Sequence, residues 1–246
     1  MLTIVTLVKD NAAELFSQRE ILCALNNSKV TWYIKDSSKN HKDIDILSNL
    51  KANWQGSTRL VIDSSEDFGL YNAFNIACNS SASKYICNFN PDDEILLENL
   101  NQFVSYLDEV DHDYIVCPLW VENKKEPTGP REKPGNVNLN GVRSYLDGCA
   151  TSLVFSKKLY DRLGGFNERW ALASDLDFML KIISQRGLLK YHEYTTPIGI
   201  YGKNGVSSKL SFKSAKELWE IYSIHLKAKY ALFLTTKSLF GRLRNG

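Results

Sequence analysis

The apolar positions of the chain change period again and again. Residues 2–8 form a nearly continuous run, Leu2-Thr3-Ile4-Val5-Thr6-Leu7-Val8, the pattern of a strand buried on both faces. Leu15, Phe16, Ile21, Leu22 and Leu25 then recur near helical spacing within 11–27. Val30 to Lys35 reads as a second strand and 40–52 as a polar helix. Arg59 to Ile62 is a third strand, followed by a helix over 70–80. Lys84 to Phe89 is a fourth strand. It stops at Asn90-Pro91, because proline cannot donate to a ladder and pushes its predecessor out of the α region. A helix over 95–109 and a strand over 114–117 complete the series.

Strand, helix, strand, repeated, predicts right-handed crossovers and a mostly parallel sheet. Ligands of such sheets bind at the carboxyl ends of the strands. That singles out Val8 to Asn11, Lys35 to Ser38 and Phe89 to Glu94. The pattern breaks over 118–146, where residues 123–143 carry three prolines and three glycines. This stretch is too long for an ordinary connector. Helical signals return at 156–163, end at Gly164-Gly165, and recur at 175–186. A strand-like 189–200 leads into Gly202-Lys203-Asn204-Gly205, and 211–240 is helical. The expectation is one domain over 1–210, with halves 1–117 and 118–210, and a helical appendage over 211–246.

Composition narrows the class. With 43% hydrophobic and 24% charged residues, the chain is neither a disordered tail nor a disulfide-stapled miniature. Thirty basic against 28 acidic residues leave no global charge for nucleic acid. Cys23, Cys78, Cys87, Cys117 and Cys149 are odd in number and contain no CxxC pair, which reads as buried free thiols in a reducing cytoplasm. The first eight residues lack a basic flank and a cleavage site, so they read as a strand rather than a signal peptide. No apolar run reaches membrane-spanning length.

The usual nucleotide and hydrolase fingerprints are missing: GxGxxG after the first strand, a Walker A loop, HExxH and GxSxG. Four scattered histidines suggest no His-only metal site. The chemistry then falls to carboxylates. Asn90-Pro91-Asp92-Asp93-Glu94 crowds acidic groups at the end of a buried strand. Two readings stand. Such a cluster invites a cation, and hard oxygen ligands favour Mg2+ or Mn2+ completed by substrate phosphates. Alternatively Asp93 or Glu94 caps the next helix. Upstream, Asp67-Phe68-Gly69-Leu70-Tyr71 puts a glycine turn before a helix whose N–H groups suit an anion. Ser174-Asp175-Leu176-Asp177 opens another apolar helix. Its S-x-x-D spacing makes Asp177 the capping partner and aims Asp175 at the cleft.

Taken in order, these segments resemble a family 2 glycosyltransferase of the GT-A fold, of the kind that builds bacterial surface polysaccharide such as O-antigen and lipopolysaccharide. Val5 to Asn11 resembles the first nucleotide-binding strand and loop, which places Thr6 and Val8 beside the nucleotide. Trp32 to Ser38 resembles the second, whose aspartate, here Asp36, reads uracil. Asp67-Phe68-Gly69-Leu70-Tyr71-Asn72-Ala73-Phe74-Asn75 is similar to the family's D-x-G-I-Y-D-A-M-N element, with Asp67 and Gly69 toward the donor. Phe89 to Asp93 falls where the family carries its DxD metal motif. Gly164 to Glu168 with Ala173 to Asp177 resembles the acceptor block with its catalytic base. The departures are Asn90 and Asn72 in place of aspartates, and Gly148-Cys149 where relatives often carry a histidine.

The resemblance implies a GT-A α/β fold, a single Rossmann-like sheet flanked by helices. It implies an inverting, metal-dependent hexosyltransferase with a UDP-sugar donor, UDP-galactose or UDP-glucose first. The acceptor would be a sugar on a lipid diphosphate or a growing polysaccharide. Asp175 would be the base, Asp93 with Asp92 the metal ligands (Mn2+ or Mg2+), and Asp92 would also lie near the ribose. Trp170, Gly148 and Cys149 would meet the acceptor, with Trp120 and Tyr145 as further aromatic platforms. Lys203 and Asn204 would close over the diphosphate, or form a solvated turn. The basic, aromatic-rich 211–246 would lie on the inner face of the cytoplasmic membrane, dock on the core or join a homodimer. Two alternatives are a nucleotidyltransferase of related fold and a non-catalytic sugar-nucleotide-binding partner subunit.

Overall fold

The computed structural model describes residues 1–25, 27–121, 153–202, 212–226, 231 and 235–236. Its centre is a seven-stranded sheet in the order β3-β2-β1-β4-β8-β6-β9. The strands are β1 (Leu2–Val8), β2 (Val30–Asp36), β3 (Arg59–Asp63), β4 (Tyr85–Asn88), β6 (Tyr114–Val116), β8 (Leu153–Ser156) and β9 (Tyr191–Glu193). β1, β2, β3 and β4 pair in parallel, as do β6 and β9, whereas β8 runs antiparallel to β4 and β6 on either side of it. The mostly parallel sheet expected from the alternation is therefore present.

Side chains of a strand alternate between faces, and the core divides accordingly. Ile4, Val8, Trp32 and Ile34 pack on one side with Leu22 of α1 (Phe16–Leu25), Leu47 of α2 (His41–Ala52) and Phe103 of α4 (Leu97–Glu109). Val5 and Tyr33 pack on the other with Phe74 of α3 (Leu70–Ser80), Leu159 of α5 (Lys157–Leu163) and Phe178 of α6 (Ser174–Ser184). The last described helix, α7 (Phe212–His225), joins this second face through Leu218, Ile221 and Tyr222. The first stretch of the 211–246 appendage is thus docked on the core. Cys78, Cys87 and Cys117 are free and buried, and burial pushes their thiols well above the ordinary range.

The structure differs from expectation in three elements. β8 was not anticipated; four residues, Leu153-Val154-Phe155-Ser156, give too little period to separate strand from loop. The segment 189–200 splits at Thr195-Thr196-Pro197 into β9 and β10 (Gly199–Tyr201). β10 belongs to a small second sheet between β5 (Glu94–Ile95) and β7 (Trp120–Val121). Consequently Glu94 lies in a strand, and α4 begins at Leu97 after Leu96, which makes no side-chain cap. The helix-capping reading of Asp93 and Glu94 is corrected by that geometry. No described helix is long and apolar enough to cross a membrane.

Candidate active site

At the carboxyl ends of β1 and β2 the two exit loops are tied together. Ser37 N donates to Val8 O at 2.8 Å and Asp10 N to Ser38 Oγ at 2.9 Å, while Asp10 Oδ1 accepts from Lys39 N and Asn40 Nδ2. Asp10 holds φ 59°, a left-handed conformation that aspartate adopts more readily than most side chains. Asp36 is buried; Oδ1 accepts from Ser38 N at 2.9 Å and Oδ2 from Ser64 Oγ at 3.0 Å.

Beneath this loop sits Lys35, whose side chain is 0% exposed. Its ammonium donates to the carbonyls of Asp36, Asp63 and Ser65 and lies 3.4 Å from Asp67 Oδ2. A buried charge survives only when paired and hydrogen-bonded, and all three N–H donors are spent on β2, β3 and the loop after β3. Asp67 also accepts from Ser37 Oγ and from Gly69 N. Nearby, the Tyr33 hydroxyl donates to Asp63 Oδ2 at 2.6 Å. Burial and the Asp63 carboxylate push that phenol up to about 12.

The acidic loop after β4 divides its work. Asp93 is 1% exposed, with Oδ2 accepting from Asn90 N at 2.6 Å and Oδ1 from Gly202 N at 2.9 Å. It shapes the turn: both oxygens accept from backbone amides. Gln18 on α1 supports the same turn, donating to Asn90 O and to Asp93 O. Asp92 is the half-buried carboxylate of the pair. Gly202 packs directly on it; a Cβ there would come within 2.5 Å of both Asp92 O and Asp92 Oδ2. Among the described residues no three His, Cys, Asp or Glu side chains form a metal cage. Mg2+ and Mn2+ at a diphosphate need only one or two carboxylates, with phosphate and water completing the shell. One carboxylate held in a glycine cradle at a sheet edge fits that chemistry.

The base candidate comes from the opposite face. Gly69 has φ 133°, a backbone accessible to glycine alone, and it turns the chain from Asp67 into α3. Phe68 N donates to Asn72 Oδ1 at 3.0 Å. Two residues on, the Tyr71 hydroxyl donates to Asp175 Oδ1 at 2.8 Å. Burial first, then the Asp175 charge, raise the Tyr71 pKa well above that of a free phenol, so the hydroxyl remains a donor. Asn72 and Asn75 in turn donate to the Glu168 carboxylate at 3.0 and 2.8 Å. Asp67 at the nucleotide end and Tyr71 at the base are four residues apart. Their Cα atoms can thus be separated by at most about 14 Å.

Of the other expected residues, Thr6 is 0% exposed; its hydroxyl donates to Gln18 Oε1 and accepts from Trp32 Nε1. Val8 is 1% exposed. Both side chains belong to the interior. Trp170 is 2% exposed inside the apolar cluster, with the Arg169 guanidinium 4.6 Å from its ring centroid. Its ring is enclosed by the core and by the Arg169 guanidinium. The capping box is also corrected. α6 starts after Ala173 with no side-chain cap, and Asp177 turns instead to His225 at 2.7 Å and Lys181 at 2.9 Å. Gly148, Cys149, Tyr145, Lys203 and Asn204 lie outside the described residues. Sequence reasoning missed Gln18, Lys35 and Tyr71. A lysine inside the apolar β2 was the one visible signal among them.

A mostly parallel sheet flanked by helices, with acidic side chains at the carboxyl ends of its strands, is the architecture of the GT-A glycosyltransferases. The sequence profile of glycosyl transferase family 2 matches residues 20–164, more than half of the chain, and the chain belongs to that family. This sets aside the nucleotidyltransferase alternative. No curated protein sequence matches it significantly.

Solved structures agree on the fold. S. aureus TarS 1–349 in complex with UDP superposes with TM-score 0.67 at 10% identity, over 94% of this chain and 68% of that one. The mannosyltransferase PcManGT from Pyrobaculum calidifontis, in complex with GDP-Man and Mn2+, gives 0.60 at 14% identity over 100% and 75%. Glucosyl-3-phosphoglycerate synthase from Mycobacterium tuberculosis, with Mn2+, UDP and glucosyl-3-phosphoglycerate, gives 0.62 at 11% over 92% and 80%.

Proposed function

We propose that the protein is an inverting hexosyltransferase that moves a sugar from a UDP-sugar, UDP-galactose or UDP-glucose first, to a hydroxyl of a lipid-diphosphate-linked or polysaccharide acceptor. One observation carries this reading. The segment Asp67–Tyr71 is anchored at one end to Lys35 and Ser37 in the nucleotide loops and at the other to Asp175. On this reading the segment would tie the carboxylate base to the donor end of the site. Neighbours of the same fold that hold UDP or Mn2+ support the choice of donor and ion.

Asp36 and the β1 and β2 loops would bind the base and ribose of the nucleotide. Asp92 would hold Mn2+ or Mg2+. That ion, when bound, would supply the Lewis acidity that offsets charge on the departing diphosphate. Asp175 would accept the proton of the acceptor hydroxyl as its oxygen bonds to the anomeric carbon and the bond to the diphosphate breaks. The Tyr71 hydrogen bond keeps the carboxylate aimed. The finer placement, at the cytoplasmic face of the membrane, draws support from Trp219 and Ile224. Both are exposed on α7, beside Lys213 and Lys216.

Asp175→Asn is expected to bind UDP with wild-type affinity in calorimetry with Mn2+ and to lose UDP release from UDP-galactose or UDP-glucose by at least about 100-fold. Normal turnover in that variant would overturn the assignment. Loss of UDP affinity in wild-type protein on omitting Mn2+ is the expected sign of the ion.

A further inference from the structure

We infer that α7 is a positioning element of the reaction, acting through Glu217 on the turn that carries Asp175; this rests on the reading of Asp175 as base. Glu217 is only 7% exposed. Its Oε1 accepts from Ala171 N at 3.2 Å and its Oε2 from Leu172 N at 2.9 Å. These two amides immediately precede Ala173, where α6 begins without a side-chain cap of its own. One carboxylate from a helix about 45 residues downstream therefore does for this approach what a local capping residue does elsewhere.

The grip is repeated on both sides. Arg169 pairs with Glu220 of α7 at 3.1 Å. At the other end of the turn, Asp177 lies 2.7 Å from His225, the last residue of α7. Asp175 sits between these anchors, in the first turn of α6, with its oxygen on Tyr71. Charge-assisted hydrogen bonds from backbone amides to a carboxylate are the strong and directional kind. Removing the acceptor frees the 169–173 approach, so the base keeps its hydrogen bonds from Tyr71 and the Leu176 amide but loses the support under the start of its helix. A base displaced by about 1 Å loses rate without losing donor affinity. The nucleotide end makes none of its described contacts with α7.

The test compares Glu217→Ala, Glu217→Gln and a control on the exposed face of α7, Ser223→Ala. Readouts are UDP affinity with Mn2+, and kcat and KM for UDP release from UDP-galactose or UDP-glucose, with water and with a short lipid-diphosphate sugar as acceptor. Glu217→Ala is expected to keep the UDP Kd and donor KM and to lower kcat by about 10- to 100-fold. Glu217→Gln, which keeps one carbonyl oxygen, falls between, and Ser223→Ala matches wild type. In the Asp175→Asn background, Glu217→Ala should cost nothing further, because both act on one step.

Hydrogen exchange reads the same contact without a donor: the Ala171 and Leu172 amides should exchange faster in both Glu217 variants. Wild-type kcat in Glu217→Ala beside an inactive Asp175→Asn overturns the inference alone, as does unchanged exchange. A parallel fall of kcat and UDP affinity in both Glu217 variants also overturns it, by showing a merely structural contact. If Glu217→Ala does not fold, the Glu217→Gln arm decides. Full turnover by Asp175→Asn instead overturns the base reading, and this inference with it.

Discussion

Lys35 shows how much one side chain can determine at this sheet edge. Its ammonium is surrounded by the carbonyls of three residues and the Asp67 carboxylate. Lys35→Met would keep the volume and leave those acceptors, one of them ionised, buried without a partner. Stripping one member from a buried pair costs about 3–5 kcal/mol, so urea titration is expected to give an unfolding free energy lower by about that much, together with weaker UDP binding. Gly202→Ala probes the other side of the cleft. The added methyl would strike both Asp92 oxygens at 2.5 Å, and the Asp92 carbonyl cannot yield without moving the turn that Asp93 holds. Calorimetry should show UDP affinity in Mn2+ reduced by roughly tenfold or more, about 1.4 kcal/mol. Affinity without the ion should change less.

Among the elements, the contact between α6 and α7 gives the molecule an acid limit. Burial alone would raise the Asp177 pKa, but hydrogen bonds from His225 and Lys181 outweigh it and hold the carboxyl below its usual 3.8. A carboxyl with a folded pKa below its unfolded value stabilises the fold above about pH 4 and ceases to do so as pH falls through the folded value. Thermal unfolding followed from pH 6 down to pH 3 should therefore steepen below about pH 4. Asp177→Asn should start less stable at pH 6 and show a shallower acid slope.

The legibility of the elements follows the same physics. β1, β2 and α3 announce themselves because long periodic runs record which face is buried. β8 and β10, each four residues or fewer, are strands because of what lies beside them. The Asp175 position was readable from its motif. Its support by Tyr71 and Glu217 was not, since partners 104 and about 45 residues away leave no local spacing. The burial of Asp93 and Trp170 was illegible for a related reason: residue type gives chemistry, whereas the tertiary fold decides how far a side chain is enclosed.

Across the whole molecule, the order β4-β8-β6-β9 carries a consequence for assembly. β6 has no ladder partner from the first 120 residues; its neighbours β8 and β9 begin at Leu153 and Tyr191. A fragment ending at residue 117 would carry an orphan strand with both edges bare, and circular dichroism of 1–117 should report a chain without cooperative unfolding. On a ribosome the same arrangement delays closure. At a synthesis rate of about 5–20 residues per second, the interval between making β6 and making β8 lasts several seconds. Through that interval Tyr114, Ile115 and Val116 stay open to any passing strand. Crowded expression should punish this chain with aggregation early in translation, and slower elongation across the intervening stretch should worsen it.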